Sequence, residues 1–125
     1  MPPDAEWPFG TDADGRDLFA VLVYGTLLTL KIGIIAGFLG VAIGTVVAFV
    51  AAYRGGWVDA IVRVVVDVLI TIPTLLVLVV VASSIQTSMS TTVMAIIIAL
   101  LAWREPTRQI RAQVLVMREA QYVKV

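Results

Sequence analysis

The 125-residue sequence contains no cysteine and no histidine, and only 14% of its residues are charged. The missing cysteine excludes disulfides and thiol chemistry, and the missing histidine excludes imidazole catalysis and most zinc, copper or haem sites. A soluble domain carries about a quarter charged residues to cover its surface. The scarcity of charge therefore excludes a soluble globular enzyme and a disordered chain.

The sequence is instead rich in long apolar runs. Of its residues, 60% are hydrophobic, and the mean hydropathy is +0.99. Residues 32–53 form a run without charge or proline, which as a helix reaches about 33 Å and crosses a bilayer. A second uncharged run, residues 68–103, is divided by the polar stretch 83–92. The sequence predicts an all-α membrane protein with three transmembrane helices, at about 26–53, 64–85 and 91–115.

Two segments beside these spans need an interpretation. Residues 18–30 are apolar and predict either a short interfacial helix or an extension of the first span. The third run reaches Arg104 after only 13 residues from Thr91, which is short for a crossing. We therefore expect this helix to continue past Arg104 with Pro106 tolerated as a kink.

Charge is unevenly distributed although the net charge is zero. The first 31 residues carry five acids and two bases, whereas the tail from Arg104 carries five bases and two acids. Lys and Arg near span ends accumulate on the cytoplasmic side, so the head is predicted outside and the tail inside. The short basic tail holds a single aromatic residue and is not a nucleic-acid footprint.

Three features of the spans admit two interpretations each. Asp67 is either an intramembrane proton or ion relay or the partner of Arg63 in an i,i+4 ion pair, and its shallow depth favours the pair. Pro73 is either a hinge or a kink satisfied by Thr71 or a neighbouring helix. Glycines at small-xxx-small spacing predict close helix packing, although glycine is also frequent by chance in such helices; they are Gly33, Gly37, Gly40 and Gly44.

Catalytic and metal-ligating residues are not predicted. The sequence has no phosphate-binding loop, because Gly55-Gly56 is followed by Trp57 and not by lysine, and its serines have no base to activate them. The chain is therefore expected to bind no cofactor of its own.

Ordered motifs run along the chain, both within the predicted spans and beside them. The head contains Pro8, Phe9, Gly10, Thr11, Asp12, Gly15, Arg16 and Asp17. Later matches are Gly56, Trp57, Asp59, Arg63, Asp67, Pro73, Trp103, Arg108, Arg111, Arg118, Glu119, Tyr122 and Val123. Together they span nearly the whole chain, and the pattern resembles dipeptide/oligopeptide/nickel-type ABC transporter permeases, in particular the second of their two permease subunits.

This resemblance implies a fold, a function and partners. The fold is a type I ABC permease bundle, with residues 1–25 as an extracytoplasmic head and interfacial helix, 26–117 as a partial transmembrane core and 118–125 as the start of a cytoplasmic loop. That loop docks on an ATPase, which implies docking roles for Arg118, Glu119, Ala120, Tyr122 and Val123. ATP would be bound by this partner subunit, with a second permease subunit and an extracytoplasmic solute-binding protein completing a transporter in the prokaryotic cell membrane.

The chain also departs from the family pattern. Trp7 stands where a histidine often precedes the head motif, and Leu27 stands where an arginine is usual. The first and the last two spans of such permeases have no counterpart, so we expect the sequence to be a fragment. A small self-associating structural or pore-forming membrane protein, built on the glycine face, is the alternative.

Overall fold

Helices dominate the computed structural model, which describes the backbone of residues 1–123 and the side chains of residues 1–120. Within this range no strand forms, and a single β-bridge joins Thr11 to Asp17. The all-helical prediction is therefore confirmed for the described residues. The helices are α1 Leu18–Arg54, α2 Gly56–Thr71, α3 Thr74–Ser84, α4 Thr91–Ala102 and α5 Arg104–Val123.

Helix α1 runs without interruption for 37 residues, about 55 Å. It begins where the Asp17 carboxylate accepts the Phe19 N–H at 3.0 Å. It ends at Gly55, whose N–H donates to the Ala51 carbonyl and whose positive φ turns the chain out of the helix. Residues 18–30 thus continue without a break into the first apolar run, and the interfacial position of the part before residue 26 stays a prediction. The predicted start near residue 26 was too late, because the cap is Asp17.

Small residues, and not large ones, form the core between α1, α4 and α5. Every fourth residue along one face of α1 is a buried alanine or glycine: Ala36, Gly40, Gly44, Ala48 and Ala52. On α4 the buried residues are Ala95 and Ala99, whereas Ile34 and Phe38 of α1 are 68% and 74% exposed. This arrangement is unfavourable in water but suits a lipid environment, where close backbone approach drives helix packing.

The prediction of a single helix over 64–85 is wrong, because this region forms two helices and the first of them begins at Gly56. Helices α2 and α3 meet at a break at Ile72-Pro73, where the proline cannot continue the hydrogen-bond ladder, and are bent by 70°. By length and composition, α1 can cross a membrane alone, and α2 with α3 can do so together as one broken span. Helix α3 buries none of its residues.

The predicted continuous helix over 91–115 is wrong in one respect. The break lies at Trp103 and not at Pro106, so α4 ends at Ala102 after 12 residues, about 18 Å. Pro106 lies in the first turn of α5, where a missing N–H removes no hydrogen bond within the helix. The Thr107 N–H donates to the Trp103 carbonyl at 3.2 Å and starts the new helix. Three crossings therefore stay a prediction.

The orientation of the chain can be tested by cysteine labelling, because the sequence has no native cysteine. Ala13 and Gln113 are exposed, so cysteine at either position leaves the core untouched. A membrane-impermeant maleimide applied to intact cells is expected to label position 13 and to label position 113 only after permeabilisation, as the basic tail requires. Equal labelling of both sites in intact cells would overturn this orientation.

Candidate functional site

A cleft of about 250 Å³ lies between α2 and α5. Its charged side chains recur at helical spacing on both walls, so each wall presents one face of its helix. Three arginines and one aspartate contribute to the lining, which makes the cleft positively charged. The lining residues are Val62, Arg63, Val66, Asp67, Thr107, Arg108, Arg111 and Ala112.

An ion pair between Asp59 and Arg111 joins the two walls. Nε and Nη2 of Arg111 donate to Oδ1 and Oδ2 of Asp59, each at 2.5 Å, and the two side chains are 21% (Asp59) and 16% (Arg111) exposed. Two parallel N–H···O bonds between a guanidinium and a carboxylate fix both distance and orientation. The contact therefore sets how α5 lies against the beginning of α2.

The predicted ion pair between Arg63 and Asp67 does not form within the described chain. Both side chains are exposed at the cleft, where an i,i+4 pair gains only a few tenths of a kcal/mol, too little to hold two side chains together. The Asp67 backbone carbonyl accepts the Thr71 hydroxyl at 3.0 Å. Thr71 therefore does not satisfy the Leu69 carbonyl that Pro73 leaves free, and of the predicted partners it is a neighbouring helix that does, through Arg104.

Thr107 closes the inner end of the cleft and is fully buried. Its hydroxyl oxygen lies 2.7 Å from the Trp103 carbonyl oxygen and 3.2 Å from the Gly44 carbonyl oxygen. A Cβ at Gly44 would come within 2.8 Å of both the Pro106 Cβ and the Trp103 carbonyl oxygen. Only glycine allows α1 to approach the α4–α5 junction this closely.

The other predicted packing glycines divide into two groups. A Cβ at Gly40 would meet the Ala102 Cβ at 3.0 Å, so this position belongs to the same close contact as Gly44. Gly33 and Gly37 are exposed, and a Cβ at either would meet no atom within 4 Å. The structure thus brings one glycine pair into the core and leaves the other on the surface.

The predicted docking residues lie at the end of α5. Arg118 donates from Nη1 to the Ala52 carbonyl at 3.1 Å, and this places a cation at the negative end of α1. Glu119 and Ala120 are exposed. The side chains of Tyr122 and Val123 lie outside the described residues.

The head motif forms a compact turn at the opposite end of α1. The Asp12 carboxylate accepts the backbone N–H groups of Asp14 and Arg16, both at 2.9 Å. Phe9 stacks on Phe19 with ring centroids 5.7 Å apart, and Gly10 adopts φ 73°. Other motif residues, Pro8, Thr11, Gly15 and Asp17, belong to this same turn, whereas Gly56 and the exposed Trp57 follow the α1–α2 junction.

Sequence reasoning missed the contacts that hold the cleft together. Asp59, Arg63 and Asp67 follow one another at i, i+4 and i+8, and Arg104, Arg108 and Arg111 share a face on α5. This repeated spacing indicates two charged faces, but it does not show that the two faces meet. An ion pair between two helices can form or break as the helices move, so the arrangement suits a contact that changes with conformation.

Comparisons with known proteins agree with this picture. No curated protein matches the chain. A family model described as "Binding-protein-dependent transport system inner membrane component" matches residues 40–125, a range that includes every residue of the cleft and of its ion pair. Because the match covers more than half of the sequence, the chain belongs to this family of membrane components of binding-protein-dependent transport systems.

Proposed function

We propose that the chain is a permease subunit of a binding-protein-dependent ABC importer for peptides or related small solutes, with nickel as the alternative solute. It would provide part of the translocation pathway by alternating between outward-facing and inward-facing states. The family match over residues 40–125 is the observation that carries the permease role.

The narrower assignment to peptide-type importers depends on the head motif. This motif lies in residues 8–17, before the matched range begins, and it forms the turn that caps α1. A turn held by its own backbone and carboxylates suits a segment outside the bilayer, where a solute-binding protein would dock. The proposed partners are that binding protein, a second permease subunit and cytoplasmic ATP-binding subunits, with the lipid bilayer around them.

Uptake measurements test the proposed solute. The complete permease that carries this chain is produced with its candidate partner subunits in cells that lack their own peptide and nickel importers, and uptake of labelled dipeptide, longer peptide and nickel is compared. We expect ATP-dependent peptide uptake that disappears when the chain is omitted. Uptake of nickel alone would move the assignment to the alternative solute, and the absence of any association with the partner subunits would contradict the importer.

The end of α5 is proposed to dock on the ATPase through shape, because Ala120 is small and exposed. Ala120→Trp is expected to lower uptake at least about tenfold without affecting membrane insertion, because a bulky side chain holds the partner surface away. A tenfold loss corresponds to about 1.4 kcal/mol of coupling free energy between the permease and the ATPase. ATPase co-purification and uptake are measured together. Gln113→Trp, on an exposed position of the same helix, is the control.

If the end of α5 were only a basic tail that binds lipid, the two kinds of substitution would have the opposite order of effects on ATPase recruitment. Such a tail would be attracted to anionic lipid by about 1 kcal/mol for each Lys or Arg near the surface, so removing charge at Arg108 would matter more than enlarging Ala120. If Arg108→Gln abolishes ATPase recruitment and Ala120→Trp does not, the docking proposal is wrong.

The alternative, a self-associating pore or structural protein, gains little from the structure. Gly40 and Gly44 already pack against the α4–α5 junction of the same chain, which leaves only the Gly33/Gly37 pair for another helix. The family match further favours the permease.

A further inference from the structure

Arg104 is a buried cation without an acidic partner. Its exposed fraction is 7%, and no carboxylate in the described part of the chain lies within ion-pair distance of it. A buried charge is costly unless hydrogen bonds or opposite charge compensate it. The compensation must therefore come from the groups around the guanidinium.

Those groups belong to three different helices. Nε donates to the Leu101 carbonyl in the last turn of α4 at 2.6 Å, and Nη2 donates to the Thr74 hydroxyl at the start of α3 at 2.7 Å. Nη1 donates to the Leu69 carbonyl in the last turn of α2. The guanidinium therefore bridges the two sides of the break between α2 and α3.

The Leu69 carbonyl needs this donor because of Pro73. In an uninterrupted helix the N–H of residue 73 would donate to the carbonyl of residue 69, but proline has no N–H. Only a 3.3 Å contact from the Ile72 N–H remains for Leu69 within its own helix. In hydrocarbon a carbonyl that is poorly satisfied costs several kcal/mol, and Arg104 supplies the missing donor.

The same geometry explains how the charge is tolerated. The C-terminal end of a helix carries roughly half a negative charge, and the guanidinium of Arg104 lies against the last turn of α2. Its planar fork reaches Leu69 and Thr74 at the same time. A lysine ammonium presents its donors from one point and cannot span the break in this way.

We propose that Arg104 is a positioning residue that sets the 70° bend between α2 and α3 by replacing the N–H that Pro73 lacks. The bend then depends on a side chain from the α4–α5 junction and not on proline alone. This role is independent of the transported solute and of the ATPase.

Distance measurements between spin labels test the bend directly. Ile61 on α2 and Val80 on α3 are 51% and 61% exposed, so cysteine-attached labels at these positions avoid the core, and the chain has no other cysteine. In lipid nanodiscs we expect a narrow distance distribution for the parent chain. Arg104→Gln should broaden it and lengthen the mean distance by up to about 5 Å, the difference between the bent and straight helix pair.

Two further variants distinguish this role from general support of the fold. Arg104→Lys should fall between the parent and Arg104→Gln, because it keeps the charge and loses the fork. Arg54→Gln, at an exposed arginine at the end of α1, should leave the distribution as in the parent.

Pro73→Ala provides the decisive comparison, because alanine restores an N–H for the Leu69 carbonyl. In the Pro73→Ala variant, adding Arg104→Gln should not change the distance between the labels further. If Arg104→Gln alone does not fold, the double variant should recover folded protein. The proposal is overturned if Arg104→Gln leaves the parent distribution unchanged. It is equally overturned if Arg104→Gln has the same effect with and without Pro73.

Discussion

Gly44→Leu is expected to separate α1 from the α4–α5 junction and to destabilise the chain by about 3 kcal/mol or more, as overpacking of a close contact does. The new Cβ would lie 2.8 Å from the Trp103 carbonyl oxygen, a backbone atom that cannot move aside like a flexible side chain. The Gly44 carbonyl would also lose its contact with the buried Thr107 hydroxyl. Unfolding in mixed detergent and SDS micelles, followed by circular dichroism, measures the loss.

Gly37→Leu is the matched control on the same helix. It makes the same chemical change at an exposed glycine whose Cβ would meet no atom within 4 Å. Removing glycine from a helix interior is favourable by up to about 1 kcal/mol, so this variant should be as stable as the parent or more stable. Equal destabilisation by both substitutions would show that the close contact at Gly44 does not hold α1 in place.

Asp59→Asn is expected to be the second most damaging change, at about 2 kcal/mol, because it breaks a bidentate contact and leaves Arg111 without its carboxylate. The estimate is below that for a fully buried pair, since both side chains keep some contact with solvent. The same unfolding assay applies, and uptake by the assembled transporter reports the effect on function.

Asp67→Asn supplies the control, because it removes the same charge from an exposed position on the same helix. Its cost should not exceed about 0.5 kcal/mol. The exchanged pair, Asp59→Arg with Arg111→Asp, should recover part of the stability that either single reversal loses. If Asp67→Asn costs as much as Asp59→Asn, or if the exchange recovers nothing, the ion pair does not join the helices.

Hydropathy predicted where the helices lie but not where they begin. The predicted starts near 26 and 64 both lie eight residues after the observed starts of α1 and α2, Leu18 and Gly56. The observed boundaries depend on the Asp17 carboxylate, on the positive φ of Gly55 and on the missing N–H of Pro73. Only the glycines of the small-residue core could be predicted from the sequence. The glycine spacing predicted Gly40 and Gly44, but the alanines that continue the ridge, such as Ala36 and Ala48, do not stand out in a uniformly apolar sequence.

The tertiary contacts were not predictable from local pattern. Arg104 follows a short apolar run and has the sequence appearance of a residue at the membrane surface, yet the structure buries it against α2 and α3. The break between α4 and α5 lies at Trp103 and not at Pro106, beside the contact of the Thr107 hydroxyl with the Gly44 carbonyl. Arg111 finds Asp59 across 52 positions of the chain. These contacts exist only once the helices have packed.

Helix α5 is a single helix whose contacts with α1 and α2 lie at different distances from its start, so one rotation of the helix would displace them by different amounts. Helix α5 starts beside Trp103, is tied to α2 by Arg111, and is tied to the end of α1 by Arg118. Arg111 lies about 12 Å along the axis from Trp103, and Ala120 lies about 25 Å along it. A swing of roughly 10° about Trp103 would thus move Ala120 by about 4 Å and Arg111 by about 2 Å, enough to pull the guanidinium out of hydrogen-bond range of Asp59. A displacement of this size at the far end of α5 would therefore separate Arg111 from Asp59 and Arg118 from the Ala52 carbonyl in the same movement.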